Sequence, residues 1–324
     1  MPPDGTKHLL STRVPTLMRR YQIDGISIAV LREGRVETLF SYGNSNNPMH
    51  PLVSTSTVFQ AASLGKPVLA ELVLQLAAEE LIDLDRPLTS YLPDLFNQPD
   101  PRVSKISARL VLSHSSGLRN YGSDDNAHLA FAPGTGFEYS GRGFDALQQV
   151  IEHITGLSLE TLAHRRLFDP LGMSQSSFVW QAEYDQHSAH GNFGMGVLPP
   201  VDPNIGDAKA AWSLRTTAGD YAKFMGHVMK RAIIPSRRAL SPLVSQIEVT
   251  DQVGWGLGWG LQNTSPNHSI WHWGSNPGFR SFAVAYPVEG VGIVVMANSE
   301  NLFQAVDDII LAAIGGSLPA YDWF

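Results

Sequence analysis

Ser63-Leu64-Gly65-Lys66 opens a segment with helical periodicity, and the organisation of the whole chain follows from it. Residues at i and i+3 share a helix face, so the two side chains can touch. A serine hydroxyl is a weak nucleophile until a base takes its proton, and a lysine amine serves once its pKa is lowered. Burial and neighbouring cations lower that pKa from about 10.4 by a few units. The helix start adds partial positive charge beside the serine, which suits an oxyanion forming there. Pro67 falls in the first turn, where its missing N–H costs little. Leu69, Leu72, Val73 and Leu76 then repeat at helical spacing, which predicts a helix buried on most sides.

Upstream, residues 8–20 read as a short amphipathic helix. Two strand-like runs, 25–31 and 35–40, flank Glu33-Gly34 as a hairpin. Residues 44–56 are a loop rich in Ser, Asn and Pro. From about 81 to 240 the pattern is helices and loops. One stripe (Phe144, Leu147, Val150, Ile151, Ile154) closes at Gly156, a C-cap signal. Another (Tyr221, Phe224, Met225, Val228, Met229) follows Thr217 and Asp220 at capping-box spacing. Residues 183–212 show no periodicity, and a loop of that length often faces substrate. After Pro242 strands dominate. Gly254-Trp255-Gly256-Leu257-Gly258-Trp259-Gly260 alternates as a strand whose glycines admit close packing, and no phosphate-binding lysine helix follows it. Residues 282–286 and 291–297 are further strands, and 302–314 a last helix.

The 324 residues carry a formal net charge of -7, which argues against nucleic acid or an anionic membrane as partner. The absence of cysteine excludes disulfides, a thiol nucleophile and thiolate metal sites. No run approaches the ~20 apolar residues of a membrane span, so a soluble protein is expected. Residues 1–17 lack the pattern of a secretory signal. The expected location is therefore cytoplasmic, or periplasmic or secreted if a signal has been removed.

Two triplets join the serine–lysine pair. Tyr139-Ser140-Gly141 follows the turn-rich 131–136, and His272-Trp273-Gly274 sits between strand-like runs. A serine–lysine helix, a tyrosine loop and a late basic residue with glycine, in that order, resemble the penicillin-recognising serine hydrolases. The similarity is greatest to their class C β-lactamase, family VIII carboxylesterase and D-aminopeptidase branch. It extends to Thr57–Ala62, Leu81–Leu88, Val111–Leu118, Pro170–Met173 and Asn276–Phe279, and so covers roughly residues 20 to 315.

The resemblance implies an α/β protein of β-lactamase-like fold. A mostly antiparallel sheet is flanked by helices from both termini, with an all-helical domain inserted. The expected division is 1–64 with 242–324 for the sheet domain and 65–241 for the helical one, the active site lying in the cleft between them. It further implies Ser63 as nucleophile, Lys66 as its base, Tyr139 as a second base whose cationic neighbours favour phenolate, and His272 as the fourth member. The backbone N–H groups of Ser63 and Ser275 would form the oxyanion hole. Gly141, Trp273, Gly274 and Asn276 would line the substrate, Gly274 letting the strand approach the acyl group. His114 reads as structural, holding a turn. No metal and no cofactor are expected, since Trp271 and Trp273 flank His272 and no ligand recurs nearby.

Two departures from the family pattern bear on substrate. Gly141 stands where an asparagine normally holds the substrate's acylamino group, and Trp273 stands where a threonine or serine normally contacts its free carboxylate. Both point away from efficient β-lactam or D-alanyl-D-alanine turnover and toward ester or amide substrates, small molecule or peptide. Acyl transfer or peptide cyclisation is the alternative, motivated by Trp255, Trp259, Trp271 and Trp273 as walls of the site and by the lack of a signal. A non-turnover penicillin-binding or sensing module is another. Oligomeric state is left open.

Overall fold

The computed structural model describes residues 3–96, 99–122, 128–193, 207–234, 240–262 and 268–315. In chain order its helices are α1 (Pro3–Tyr21), α2 (Gly65–Ala78), α3 (Ala108–Leu112), α4 (Gly141–Thr155), α5 (Leu159–Ala163), α6 (Asp169–Leu171), α7 (Tyr184–His187), α8 (Ala218–Ala232) and α9 (Val306–Ala313). The strands are β1 (Gly25–Arg32), β2 (Arg35–Gly43), β3 (Phe59–Ala62), β4 (Leu214–Thr216), β5 (Ile247–Glu248), β6 (Val253–Trp255), β7 (Gly260–Gln262), β8 (Ser269–Asn276), β9 (Phe279–Tyr286) and β10 (Val291–Ala297).

Eight strands form one antiparallel sheet in the order β2-β1-β10-β9-β8-β7-β6-β5, and β3 pairs with β4 separately. Strand alternation sorts side chains between two cores. On one face Ile26, Ile28 and Val30 of β1 and Ile293 and Val295 of β10 meet Leu10, Val14 and Met18 of α1 and Ile309 and Ile310 of α9. On the other, Ala29, Leu31, Val294 and Met296 join the larger core containing α2, α4 and α8. Both faces are covered, so β1 and β10 are almost wholly buried. The expected sheet flanked by helices from both ends of the chain is what the structure contains. Within the segment assigned to the inserted helical domain, α8 lies against β1, β2 and β10 of the sheet.

Local signals hold at several points. Glu33 and Gly34 both take positive φ in the β1–β2 turn, as a two-residue hairpin requires. Gly156 caps α4 in the left-handed region. The Thr217 side chain accepts the Asp220 N–H at the start of α8. Two readings need correction. The alternating run 254–260 is a hairpin rather than one strand: β6 and β7 pair with Trp255 opposite Gly260, and the turn between them packs on α2, Gly258 against Ala70. The last helix is split, residues Glu300–Gln304 forming a 3-10 turn before α9. Of the unpatterned stretch 183–212, residues 184–187 form α7, and 194–206 lie outside the described residues. No helix among the described residues is long and apolar enough to cross a membrane.

Candidate active site

Ser63 lies between β3 and α2, preceded by Ala62 in the left-handed region (φ 52). The turn closes through Leu64 N–H to Ala61 O (3.1 Å) and Lys66 N–H to Ser63 O (3.0 Å), and Tyr221 of α8 donates its hydroxyl to Leu64 O at 3.0 Å. Lys66 reaches back along the first turn so that its Nζ is 2.9 Å from Ser63 Oγ. The same amine donates to Ala211 O at 2.7 Å. The loop that carries it can approach because residue 65 is glycine: a Cβ there would lie 2.5 Å from the neighbouring Ala210 O. Lys66 is 2% exposed. Burial lowers its pKa from 10.5 to about 7, against a smaller opposing pull from the Asp145 carboxylate. At neutral pH a large fraction of the amine is free to take a proton.

Tyr139 is set over this pair by His114. The His114 carbonyl accepts Glu138 N–H (2.8 Å) and its Nδ1 accepts Ser140 N–H (3.0 Å), one on each side of the tyrosine. The His114 ring also lies 4.3 Å from the Tyr139 ring, between centroids. The expected structural role of His114 is thus met by specific bonds. Lys66 Nζ is 4.8 Å from the Tyr139 ring centroid, and the Trp273 ring stacks on Tyr139 at 4.9 Å between centroids. The Tyr139 hydroxyl is buried with no hydrogen bond of ordinary geometry. Burial raises its pKa, and the nearby Ser63 hydroxyl opposes this only in part.

His272 is fully buried on β8, its ring 6.1 Å from that of Tyr139. Its Nδ1–H donates to Trp273 O at 2.7 Å, leaving Nε2 as an unpartnered acceptor. Burial first, and the Lys66 charge second, lower its pKa to about 3. The imidazole is neutral, as expected. The expectation of phenolate at Tyr139 is corrected, because desolvation outweighs the opposing Ser63 hydroxyl and favours the neutral phenol.

The remaining positions divide. Gly274 lies against β3: a Cβ there would be 2.1 Å from Ala61 O and 2.2 Å from Ser281 Oγ. Ser275, next in β8, is exposed. The Asn276 amide donates to Gln60 Oε1 (2.8 Å) and Trp212 O (3.2 Å), and so ties β8 to β3. Gly141 is covered by Tyr121, whose ring carbon would be 2.4 Å from an added Cβ. Trp255, Trp259 and Trp271 are core residues, and of the four expected wall tryptophans only Trp273 is half-buried. Among the described residues no group of three His, Cys, Asp or Glu could hold a metal ion.

Sequence reading missed Ala211, Gly65, Tyr121 and Asp145. A backbone carbonyl carries no residue-type signal, so nothing marked Ala211; a glycine inside a nucleophile motif could have marked Gly65.

An eight-stranded antiparallel sheet, with β3 packed on β8 and β9 and leading into a Ser–Lys–Tyr cluster, is the β-lactamase-like fold. The Beta-lactamase family model matches residues 10–316, and the chain belongs to that family. Penicillin-binding protein 4 of Amycolatopsis lactamdurans is 25% identical over 94% of this chain and 88% of its own length. Protein flp of Staphylococcus aureus is 24% identical over 87% of this chain, which spans only 61% of that relative. A solved class C beta-lactamase superposes with a TM-score of 0.82 at 22% identity, covering 98% of this chain and 99% of that one.

Proposed function

We propose that this protein hydrolyses ester or amide substrates through an acyl-enzyme, with Ser63 as nucleophile and Lys66 and Tyr139 as the groups that move its proton. The observation that carries this reading is the 2.9 Å contact between Ser63 Oγ and a buried Lys66 amine whose pKa is lowered to about 7. Ser63 Oγ attacks the substrate carbonyl carbon as its proton passes to Lys66 Nζ. The oxyanion is met by the backbone N–H groups of Ser63 and Ser275. The neutral Tyr139 phenol then donates to the leaving oxygen or nitrogen and is reprotonated from Lys66. Water attacks the acyl-enzyme by the reverse proton route, releasing the acid and restoring Ser63.

The leaning toward esters and amides without a free carboxylate rests on what surrounds the site. The Asn276 amide is occupied, and Arg280 is bound to Glu300 at 3.0 Å. The tryptophans that suggested a dry, transferase-like wall are mostly core, which favours water as the acceptor. Intact-mass analysis and turnover on a panel of short-chain activated esters, D-amino-acid amides, D-alanyl-D-alanine peptides and penicillins, beside Ser63→Ala, tests the reading. Ester turnover that Ser63→Ala abolishes supports it. Turnover unchanged in that variant rejects it, products joined to added amines or alcohols would make it a transferase, and an adduct that never turns over would make it a sensor.

A further inference from the structure

A cavity of about 480 Å³ lies away from the Ser63 cluster, at the start of β3. Val58 forms part of its wall, and β3 itself, about 13 Å of extended chain, separates Val58 from Ser63. The volume falls within the range of small-molecule sites. Val58 is the one aliphatic residue of the wall, and among the described residues no lysine or arginine lines it. A second cavity of about 180 Å³, walled by hydroxyl residues such as Ser54, Ser56 and Thr57, shares His187 with the first.

Some groups of the larger cavity are spent and others are spare. Ser177 Oγ donates to Glu160 Oε1 at 2.6 Å and accepts Gln181 Nε2 at 3.0 Å. Glu160 Oε2 accepts Phe178 N–H at 2.7 Å, so that carboxylate is engaged at both oxygens. Gln181 keeps its carbonyl oxygen, Glu183 its carboxylate and His187 its ring nitrogens, all without a hydrogen bond among the described residues. The Tyr184 hydroxyl has only a long bond, 3.3 Å, to Gln175 O. Donors and acceptors thus stand together around one space.

Charge narrows the class of ligand. Around Tyr184 the carboxylates of Glu160, Asp220 and Glu183 act against the single guanidinium of Arg215. Arg215 is held opposite Ser177 and over the Trp180 ring, 5.1 Å from its centroid. An anion entering here would meet net negative charge. An apolar group would strip water from polar walls without replacing its bonds. A hydroxyl both donates and accepts, so a ligand carrying several of them answers donors and acceptors alike. We propose that this cavity, with the smaller one beyond His187, is a binding site for a neutral saccharide, separate from the acyl-enzyme centre.

Calorimetric titration and saturation-transfer NMR with glucose, maltose and glucuronate, on the unaltered protein and on Ser63→Ala, test it. Glucose and maltose are expected to bind, maltose the more tightly because its second ring reaches the smaller cavity. Glucuronate, a ring of the same size bearing a carboxylate, is expected to bind at least about tenfold more weakly than glucose. Ser63→Ala should leave each affinity within about twofold, as distant sites are independent. Gln181→Ala and Glu183→Ala each remove one partner and should weaken maltose roughly three- to tenfold. Glu183 is exposed, so its variant decides should Gln181→Ala fail to fold. Absence of binding by both neutral sugars overturns the proposal, as does glucuronate binding as tightly as glucose. Maltose affinity unmoved by Glu183→Ala overturns it too, and so does binding lost in Ser63→Ala, which would put the sugar at the nucleophile.

Discussion

Gly274 and Ala61 touch so closely that no side chain fits between them: a Cβ on Gly274 would lie 2.1 Å from the Ala61 carbonyl oxygen. Ser281 of β9 donates to the same carbonyl at 3.0 Å. β3, which delivers Ser63, is thereby fixed to the strand that carries Ser275. The two proposed oxyanion donors come from chain segments far apart in sequence, and this contact sets their spacing.

Gly274→Ala is accordingly expected to force β8 away from β3. Overpacking of this kind costs about 1–3 kcal/mol, and misplacing one oxyanion donor costs about 10²–10³ in rate. Steady-state kinetics with an activated ester and a thermal melt would check both, kcat falling far more than KM changes.

Lys66 links activity and stability to pH. With its pKa lowered to about 7 and that of His272 to about 3, kcat/KM should rise through pH 7 as Lys66 loses its proton. No second ionisation from His272 should appear between about pH 4 and 6. The stability sign follows from linkage. An unfolded lysine titrates near 10.5 and the folded one near 7, so between those values the unfolded chain binds more protons. Stability contributed here is complete above about 10.5, falls as pH drops toward 7, and is flat below. Lys66→Met removes the penalty, and at pH 7 it should raise Tm by a few degrees while abolishing turnover. An unchanged or lower Tm in that variant, measured by calorimetry, would contradict the argument.

His114→Phe keeps a ring against Tyr139 but removes the acceptor of Ser140 N–H. A buried donor left without a partner costs about 1–3 kcal/mol. Because the freed loop carries Tyr139, kcat is expected to fall more than tenfold with a smaller change in KM. His114→Gln, which can still accept that N–H, should recover part of the loss.

Much of this was legible in advance because it is local. Ser63 and Lys66 meet across one helix turn, Gly156 and Thr217 end and begin helices by their own backbone preferences, and Glu33-Gly34 turns a hairpin on φ alone. The run 254–260 misled because glycines alternating with large residues suit either one strand or two strands and a turn. Pairing with Leu261 and packing on Ala70 decided between them. The bond from the Asn276 amide to Gln60 was not legible, because it depends on a strand more than two hundred positions away.

The sequence by itself determined which groups can react, since the i and i+3 spacing, the ordered triplets and the absence of cysteine are properties of residue type and position. Tertiary structure alone decided the protonation of those groups. Lys66 near neutrality, His272 uncharged and Tyr139 a phenol all follow from burial beneath α4, β8 and the Ala211 loop. Desolvation is a property of what surrounds a side chain, and those surroundings are assembled from segments that no local pattern connects.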